Sequence, residues 1–482
     1  MPSFLSYFTS PTLYAMFHNN YQENFLTGFG NKGVSIIRGV YYVFTSMAFA
    51  PIILSYMYSK GYLYPQTILV LIKVAAYSIV FSFGCRFVGR IMDPEYRSFV
   101  SVYEKARIGT TEDQEQLKKY DFHIAEVRPD FVAKKNPDSF YLPTHPDANI
   151  VTEALAYYAI HAFGRQMLYP GSLSFLNWML SGNLNNARKL LVNGKNGKRA
   201  WLKTTEGDLI DAIYVPAASG ASEERKRTLI LCSEGNAGFY EIGVGNTPVS
   251  LGYPVLAWNM PGFSESTGLP WPKNTLAGAE AVMQYARTVL NWPVENIVLF
   301  GWSIGGYPTS FLAANYPNVR GVVLDATFDD VLPLAYERMP SVVAPIVKHA
   351  IREHFNLHIS KFMEKYQGPL KLVRRLQEEI LTTSVEVDEH TKRFNNCINL
   401  LLIDILKKRH PELVNDMEPQ VQMWLRKSPT ERLHVINRDT EFDDKRRRLF
   451  AACDYYLTDF DANHVTPLDP GFFNVPLPVP NF

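Results

Sequence analysis

Ten residues, "IVLFGWSIGG" at 297–306, limit what this chain can fold into more than any other stretch. A strand-like apolar run stops at Ser303, with Gly301 two residues before it and Gly305 and Gly306 after it. Glycine weakens both strands and helices, so this crowding around one polar residue needs a reason. A backbone bend so sharp that neighbouring side chains collide supplies one, and it lifts the hydroxyl into a cleft. Gly301-Trp302-Ser303-Ile304-Gly305 fits the G-x-S-x-G turn of a serine nucleophile, provided that a strand precedes and a helix follows.

The flanking sequence predicts that context. From Trp201 onward short apolar runs alternate with helical stretches, the pattern of a mostly parallel sheet flanked by helices. "WLKTTEGDLIDAIYV" predicts a hairpin turning at Glu206-Gly207-Asp208. "RTLILC", "PVLAWNMPGF", "NIVLF", "VRGVVLDAT" and "PLKLVRR" predict strands, while "LAGAEAVMQYARTVL" and "YPTSFLAANY" predict helices. A strand, the Ser303 turn and a helix inside this series predict an α/β-hydrolase fold over residues 199–482.

A serine hydroxyl is a poor nucleophile until a base takes its proton, and the base needs a third group to fix its tautomer. In this fold the chain order is serine, acid, histidine. Glu378, in the turn after "PLKLVRR", is the candidate acid, with Glu379 beside it and Asp325 at the end of the previous strand as alternatives. His464 in "DANHVTPL" is the candidate base, against His390, His410 and His434 in charged helical surroundings. No clear strand directly precedes His464. The oxyanion formed on attack needs pre-aimed donors. The backbone N–H of Ile304, opening the next helix, and that of Asn236 in the "EGNAG" loop are the candidates.

The N-terminal fifth is far more apolar. Residues 39–58 carry no charge, and residues 67–85 carry only Lys73. Each run is about as long as a bilayer-spanning helix, and together they predict a transmembrane hairpin within residues 1–92. Lys32 and Arg38 precede the pair and Arg86 and Arg90 follow it, whereas the loop holds Lys60 alone. Positive charge on the two outer flanks places both ends, and the rest of the chain, in the cytosol. Residues 93–198 read as a helical connector, whose "IVTEALAYYAIHAFGRQMLY" carries an apolar stripe suited to core packing or to a membrane surface. Residues 329–358 fall where this fold carries a cap, and a helical insertion at about 384–459 separates acid from base.

A net charge of +1, with 20% charged and 47% hydrophobic residues, excludes a nucleic-acid binder and a disordered chain. Cys85, Cys232, Cys397 and Cys453 are widely spaced and form no C-x-x-C pair, which argues against a zinc site or disulfide scaffold. No metal or cofactor is implied, and nothing specifies an oligomeric state.

"LCSEGNAGFYE", "NMPGFSESTG", "GWSIGGYP", "LDATFDD" and "HVTPL", after the apolar N-terminal region, together resemble the abhydrolase domain-containing protein 16 family over almost the full length. The resemblance implies a membrane-anchored serine lipase of the endoplasmic reticulum that acts on phosphatidylserine and monoacylglycerol. It maps the family's triad onto Ser303, His464 and the acidic position at Glu378, where the family's usual aspartate is a glutamate. Two other classes share these residues. An acyl-protein thioesterase uses the same triad, and a catalytically dead scaffold keeps the fold for binding alone.

Overall fold

The computed structural model describes residues 3–14, 21–45, 50–109, 111–117, 119–122, 129–142, 149–383, 389–432, 444–480 and 482. The chain divides into two compact units, Met1–Asp130 with Ser172–Gly194, and Phe131–Gly171 with Lys195–Phe482.

In the first unit a helix over Pro65–Met92 runs antiparallel to one over Phe25–Thr45. Their close approach needs glycine. A Cβ on Gly30 would lie 2.4 Å from the Arg86 main-chain nitrogen, and one on Gly89 equally near that of Thr27. The 28 residues of Pro65–Met92 reach about 42 Å at 1.5 Å per residue, enough to cross a bilayer. Almost none of its most apolar window is buried, unlike the core helix of a soluble protein. The expected first span, residues 39–58, is helical wherever it is described. Its start belongs to Phe25–Thr45 and its end to Ala50–Ser59, with residues 46–49 outside the described set. Lys32 and Arg38, expected ahead of the span, lie within the first of these helices. At the far end of Pro65–Met92, buried Arg90 donates to the carbonyls of Tyr7, Ser10 and Pro11. Beyond it the aromatic cluster of Tyr96, Phe99, Tyr103 and Phe122 packs beneath a two-stranded ribbon of β1 (Leu13–Tyr14) and β2 (Asp121–Phe122).

The second unit is built on a nine-stranded sheet. Its strands are β3 (Phe131–Val132), β4 (Lys198–Lys203), β5 (Leu209–Val215), β6 (Leu229–Ser233), β7 (Val255–Trp258), β8 (Ile297–Trp302), β9 (Gly321–Asp325), β10 (Leu370–Arg375) and β11 (Leu457–Phe460), in the spatial order β11-β10-β9-β8-β6-β7-β5-β4-β3. Only the β4–β5 and β5–β7 pairings are antiparallel. The hairpin of β4 and β5 closes with Gly207 at φ 93°, where any side chain is strained. β6 and β9 are buried along their whole length and β8 along all but its last residue, which is why they read as unbroken apolar runs. This is the α/β-hydrolase fold.

Residues 93–198, expected as one connector, are shared between the units. Those from Phe131 to Gly171 join the sheet unit for definite reasons. β3 pairs with β4, the Phe131 ring packs on Tyr285, and the Gly171 N–H donates to the Asn236 carbonyl at 3.0 Å. Between β9 and β10 the chain forms helices over Val331–Arg338, Ala344–His354 and Ile359–Met363. The insertion after Glu378 is helical where described, with Ile398–Arg409 and Asp444–Tyr456 burying apolar faces. It ends sooner than expected, because β11 begins at Leu457 and pairs in parallel with β10. A strand therefore does precede His464. It is short, follows a helix without a break, and contains Asp459, so no apolar run announces it. The Asp459 side chain is buried there because Arg374 and Arg432 both bond it, at 2.7 to 2.9 Å.

The glycines of the Ser303 turn make a prediction. Gly305 has an ordinary helical φ of −61°, so only space forbids a side chain there. A Cβ would sit 2.3 Å from the Ser233 carbonyl oxygen and 2.5 Å from that of Glu234, both main chain that cannot rotate away. Gly305→Ala is expected to destabilise the protein by about 1–3 kcal/mol or more. Thermal unfolding of the full chain in detergent measures it, and an unchanged midpoint refutes the packing argument.

Candidate active site

β8 delivers Ser303 into a tight turn and on to the helix Gly306–Asn315. Ser303 itself is left-handed, at φ 55°. The turn is crowded on every side. A Cβ on Gly301 would lie 2.5 Å from Thr309 Oγ1, and one on Gly306 would lie 2.3 Å from Thr327 Oγ1. Thr327 also donates its hydroxyl to the Ser303 carbonyl at 2.8 Å, tying the turn to the end of β9.

Three of the candidate residues meet here. The Ser303 hydroxyl lies 3.0 Å from His464 Nε2, and His464 Nδ1 lies 2.8 and 3.0 Å from the two carboxylate oxygens of Glu378. All three side chains are buried. A carboxylate facing Nδ1 keeps the ring proton on that nitrogen, which leaves Nε2 as the acceptor facing serine. Glu378 is itself held by its own turn, since Oε1 accepts the N–H groups of Ile380 and Leu381 at 3.0 and 2.8 Å.

The two rival acids do other work. Glu379 accepts the main-chain N–H of His464 at 3.0 Å. Asp325 is wholly buried and bound by Nε and Nη2 of Arg375, at 2.8 and 2.6 Å. Burial holds the Asp325 carboxyl above its ordinary range, although the Arg375 guanidinium opposes the rise. Arg375 also donates to the carbonyls of Asn463 and Thr466, which flank His464. Of the competing histidines, His410 bonds the Tyr456 hydroxyl away from Ser303, His390 lies in the helix Glu389–Asn395, and His434 lies outside the described residues.

Ser303, Ile304 and Asn236 all line a cavity of about 400 Å³. Apart from Arg338 the rest of its wall is largely apolar, from Ile160 and Phe163 on the 150–168 helical stretch to Leu334, Val347 and Ile351 of the cap helices. The "EGNAG" loop that brings Asn236 there is packed against the serine turn, because a Cβ on Gly235 would meet the Trp302 ring at 2.7 Å.

A model described as "Phosphatidylserine Lipase ABHD16 N-terminal domain" matches residues 2–123, and one described as "alpha/beta hydrolase fold" matches residues 228–469. An uncharacterized protein of Caenorhabditis elegans is 52% identical over 481 residues, 99% of each chain. The protein named phosphatidylserine lipase ABHD16A in Rattus norvegicus is 32% identical, over 90% of this chain and 88% of its own. The Homo sapiens protein of the same name is 31% identical over the same shares. The chain belongs to the ABHD16 family.

Three contributors around this ABHD16 site are not evident from motif and chain order. Arg375 is hidden in the strand "PLKLVRR", where two arginines closing an apolar run are the available signal. Glu379 reads only as a second candidate acid. Trp302, whose ring centroid lies 5.5 Å from that of His464, reads only as the variable position of the serine motif.

Glu234 is also unexpected. Its side chain is buried behind the Asn236 loop, Oε2 accepts the Val244 N–H at 3.1 Å, and Oε1 has no partner among the described residues. Burial pushes its carboxyl up to about 8, from an ordinary 4.5. A carboxyl whose pKa rises on folding favours the folded state fully below the unfolded value, and that contribution is lost as pH rises through the folded one. The melting temperature of the full chain is therefore expected to fall between pH 5 and pH 8, and Glu234→Gln to flatten that decline. Parallel pH profiles for the two proteins contradict the assignment.

Proposed function

We propose that this protein is a serine lipase that hydrolyses acyl esters of glycerolipids through an acyl-serine intermediate. The observation that carries this reading is the unbroken hydrogen-bond line from Ser303 through His464 to Glu378 at the wall of an apolar cavity. His464 takes the Ser303 proton as Oγ attacks the ester carbonyl, and Glu378 stabilises the imidazolium that forms. The N–H groups of Ile304 and Asn236 receive the oxyanion. His464 then hands the proton to the departing alcohol, and water activated by the same ring releases the fatty acid. The apolar stretches of the cavity wall suit an acyl chain. The names of the rat and human relatives support phosphatidylserine as substrate, and monoacylglycerol presents the same ester on a smaller alcohol.

The test combines a fluorophosphonate probe with turnover of both lipids by purified full-length protein. Ser303→Ala is expected to abolish labelling. Glu378→Gln is expected to lower turnover by about four powers of ten, as loss of a triad carboxylate does elsewhere. Glu379→Gln is expected to lower it far less, and Asp325→Asn to act through the yield of folded protein. A probe that leaves the wild type unlabelled favours the scaffold reading, and labelling that persists at another serine removes Ser303 from the mechanism.

The protein is further proposed to be anchored in the endoplasmic reticulum membrane through Pro65–Met92, with the sheet unit in the cytosol. Arg86 and Arg90 near the C-terminal end of that helix support this orientation. A glycosylation acceptor inserted beside Lys60 is expected to be modified in microsomes, and one beside Asn196 to stay unmodified. The opposite pattern reverses the topology.

A further inference from the structure

Among the described side chains that line the cavity, Arg338 is the only charged one. It is exposed, on the last turn of the cap helix Val331–Arg338. One arm donates to the Leu334 carbonyl of its own helix at 3.1 Å, and the other donates to the Ile380 carbonyl. Ile380 belongs to the turn that carries Glu378, and its N–H bonds the Glu378 carboxylate. The guanidinium is thereby fixed beside the acid turn and not left to sample solvent.

Both of these bonds go to neutral carbonyls. Among the described residues no carboxylate forms an ion pair with Arg338, whereas Arg352, Arg374, Arg375 and Arg432 all have acidic partners. A guanidinium has five N–H donors, so carbonyl bonding leaves capacity for an anion. A hydrocarbon chain has no use for such a group in its pocket wall. An anion attached to the same molecule as the hydrocarbon chain does.

We infer that Arg338 binds the phosphodiester of a glycerophospholipid whose acyl chain occupies the cavity, and so sets the preference for phospholipid over neutral glycerolipid. The inference rests on the lipase reading above and assigns a specificity-determining residue within it. The phosphodiester is the chosen anion because it sits on the same three-carbon glycerol as the ester that meets Ser303. A planar guanidinium bonds it in paired fashion, in a way that a lysine ammonium cannot reproduce.

Arg338 also ties the cap helix to the acid turn, so a drop in activity alone decides nothing. The informative quantity is the ratio of kcat/KM for phosphatidylserine to kcat/KM for monoacylglycerol, measured with full-length protein in the same neutral detergent micelles. For Arg338→Gln this ratio is expected to fall about tenfold to a hundredfold, the range for hydrogen bonds to a charged group. Arg338→Lys is expected to recover part of it, and phosphatidylcholine to lose as much as phosphatidylserine. Equal losses on phosphatidylserine and monoacylglycerol leave the ratio unchanged and overturn the inference in favour of a structural brace. An unchanged ratio with unchanged rates also overturns it. A loss on phosphatidylserine that spares phosphatidylcholine overturns the phosphodiester in favour of the serine carboxylate. If the wild type hydrolyses neither lipid, the lipase reading itself fails, which the Arg338 variants cannot mimic.

Discussion

Ser303 is held at a left-handed φ of 55°, a conformation that costs a non-glycine residue about 1–3 kcal/mol and persists only where its surroundings over-determine it. The surroundings here come from three strands. β8 leads into the turn, the main chain after β6 fills the space that a side chain on Gly305 would need, and Thr327 beyond β9 bonds the Ser303 carbonyl. Ala326 is left-handed as well, at φ 45°, and its N–H is fixed on the Val373 carbonyl of β10. Neighbouring strands therefore clamp the strained residue, and its hydroxyl has one orientation relative to the sheet.

The histidine must arrive at that fixed point from a loop near the end of the chain, and buried charge brings it there. Successive residues of a strand face opposite sides, so Arg374 and Arg375 leave β10 in different directions. Arg374 and Arg432 share Asp459, which stitches β11 to the sheet edge and to the helical insertion. Arg375 bonds Asp325 on one side and the carbonyls around His464 on the other. A buried ion pair is weak evidence for net stability, because desolvation offsets most of its attraction. Its contribution here is one of register. Asp325 fixes Arg375, and Arg375 fixes the loop, so this carboxylate is engaged by a guanidinium and not by the histidine ring.

Much of this is legible in the sequence, for reasons that differ by element. The central strands are apolar throughout because both faces are covered, and the glycines around Ser303 show where no Cβ fits. The edge strand β11 is illegible because an ion pair, and not apolar burial, keeps Asp459 inside it. The first apolar run is legible only in part. Length and lack of charge at 39–58 do not show that the helix packing on Pro65–Met92 already starts at Phe25. The division of residues 93–198 is likewise set by tertiary partners, a strand pairing at β3 and a carbonyl at Asn236, that no local pattern encodes.

Chain order alone leaves Glu378, Glu379 and Asp325 in competition, and geometry separates them by reach. Asp325 ends β9, one strand nearer the serine, where its carboxylate is taken by Arg375. Adjacent residues of the turn after β10 divide one task between them. Glu378 receives the imidazole N–H and Glu379 the main-chain N–H of the same His464, so ring and backbone are fixed by one dipeptide. The extra methylene of glutamate over aspartate needs a constraint to offset its freedom. The N–H groups of Ile380 and Leu381 supply it by folding the Glu378 side chain back onto its own turn. An acid held by its own backbone can be longer by one carbon and still meet the ring at 2.8 to 3.0 Å.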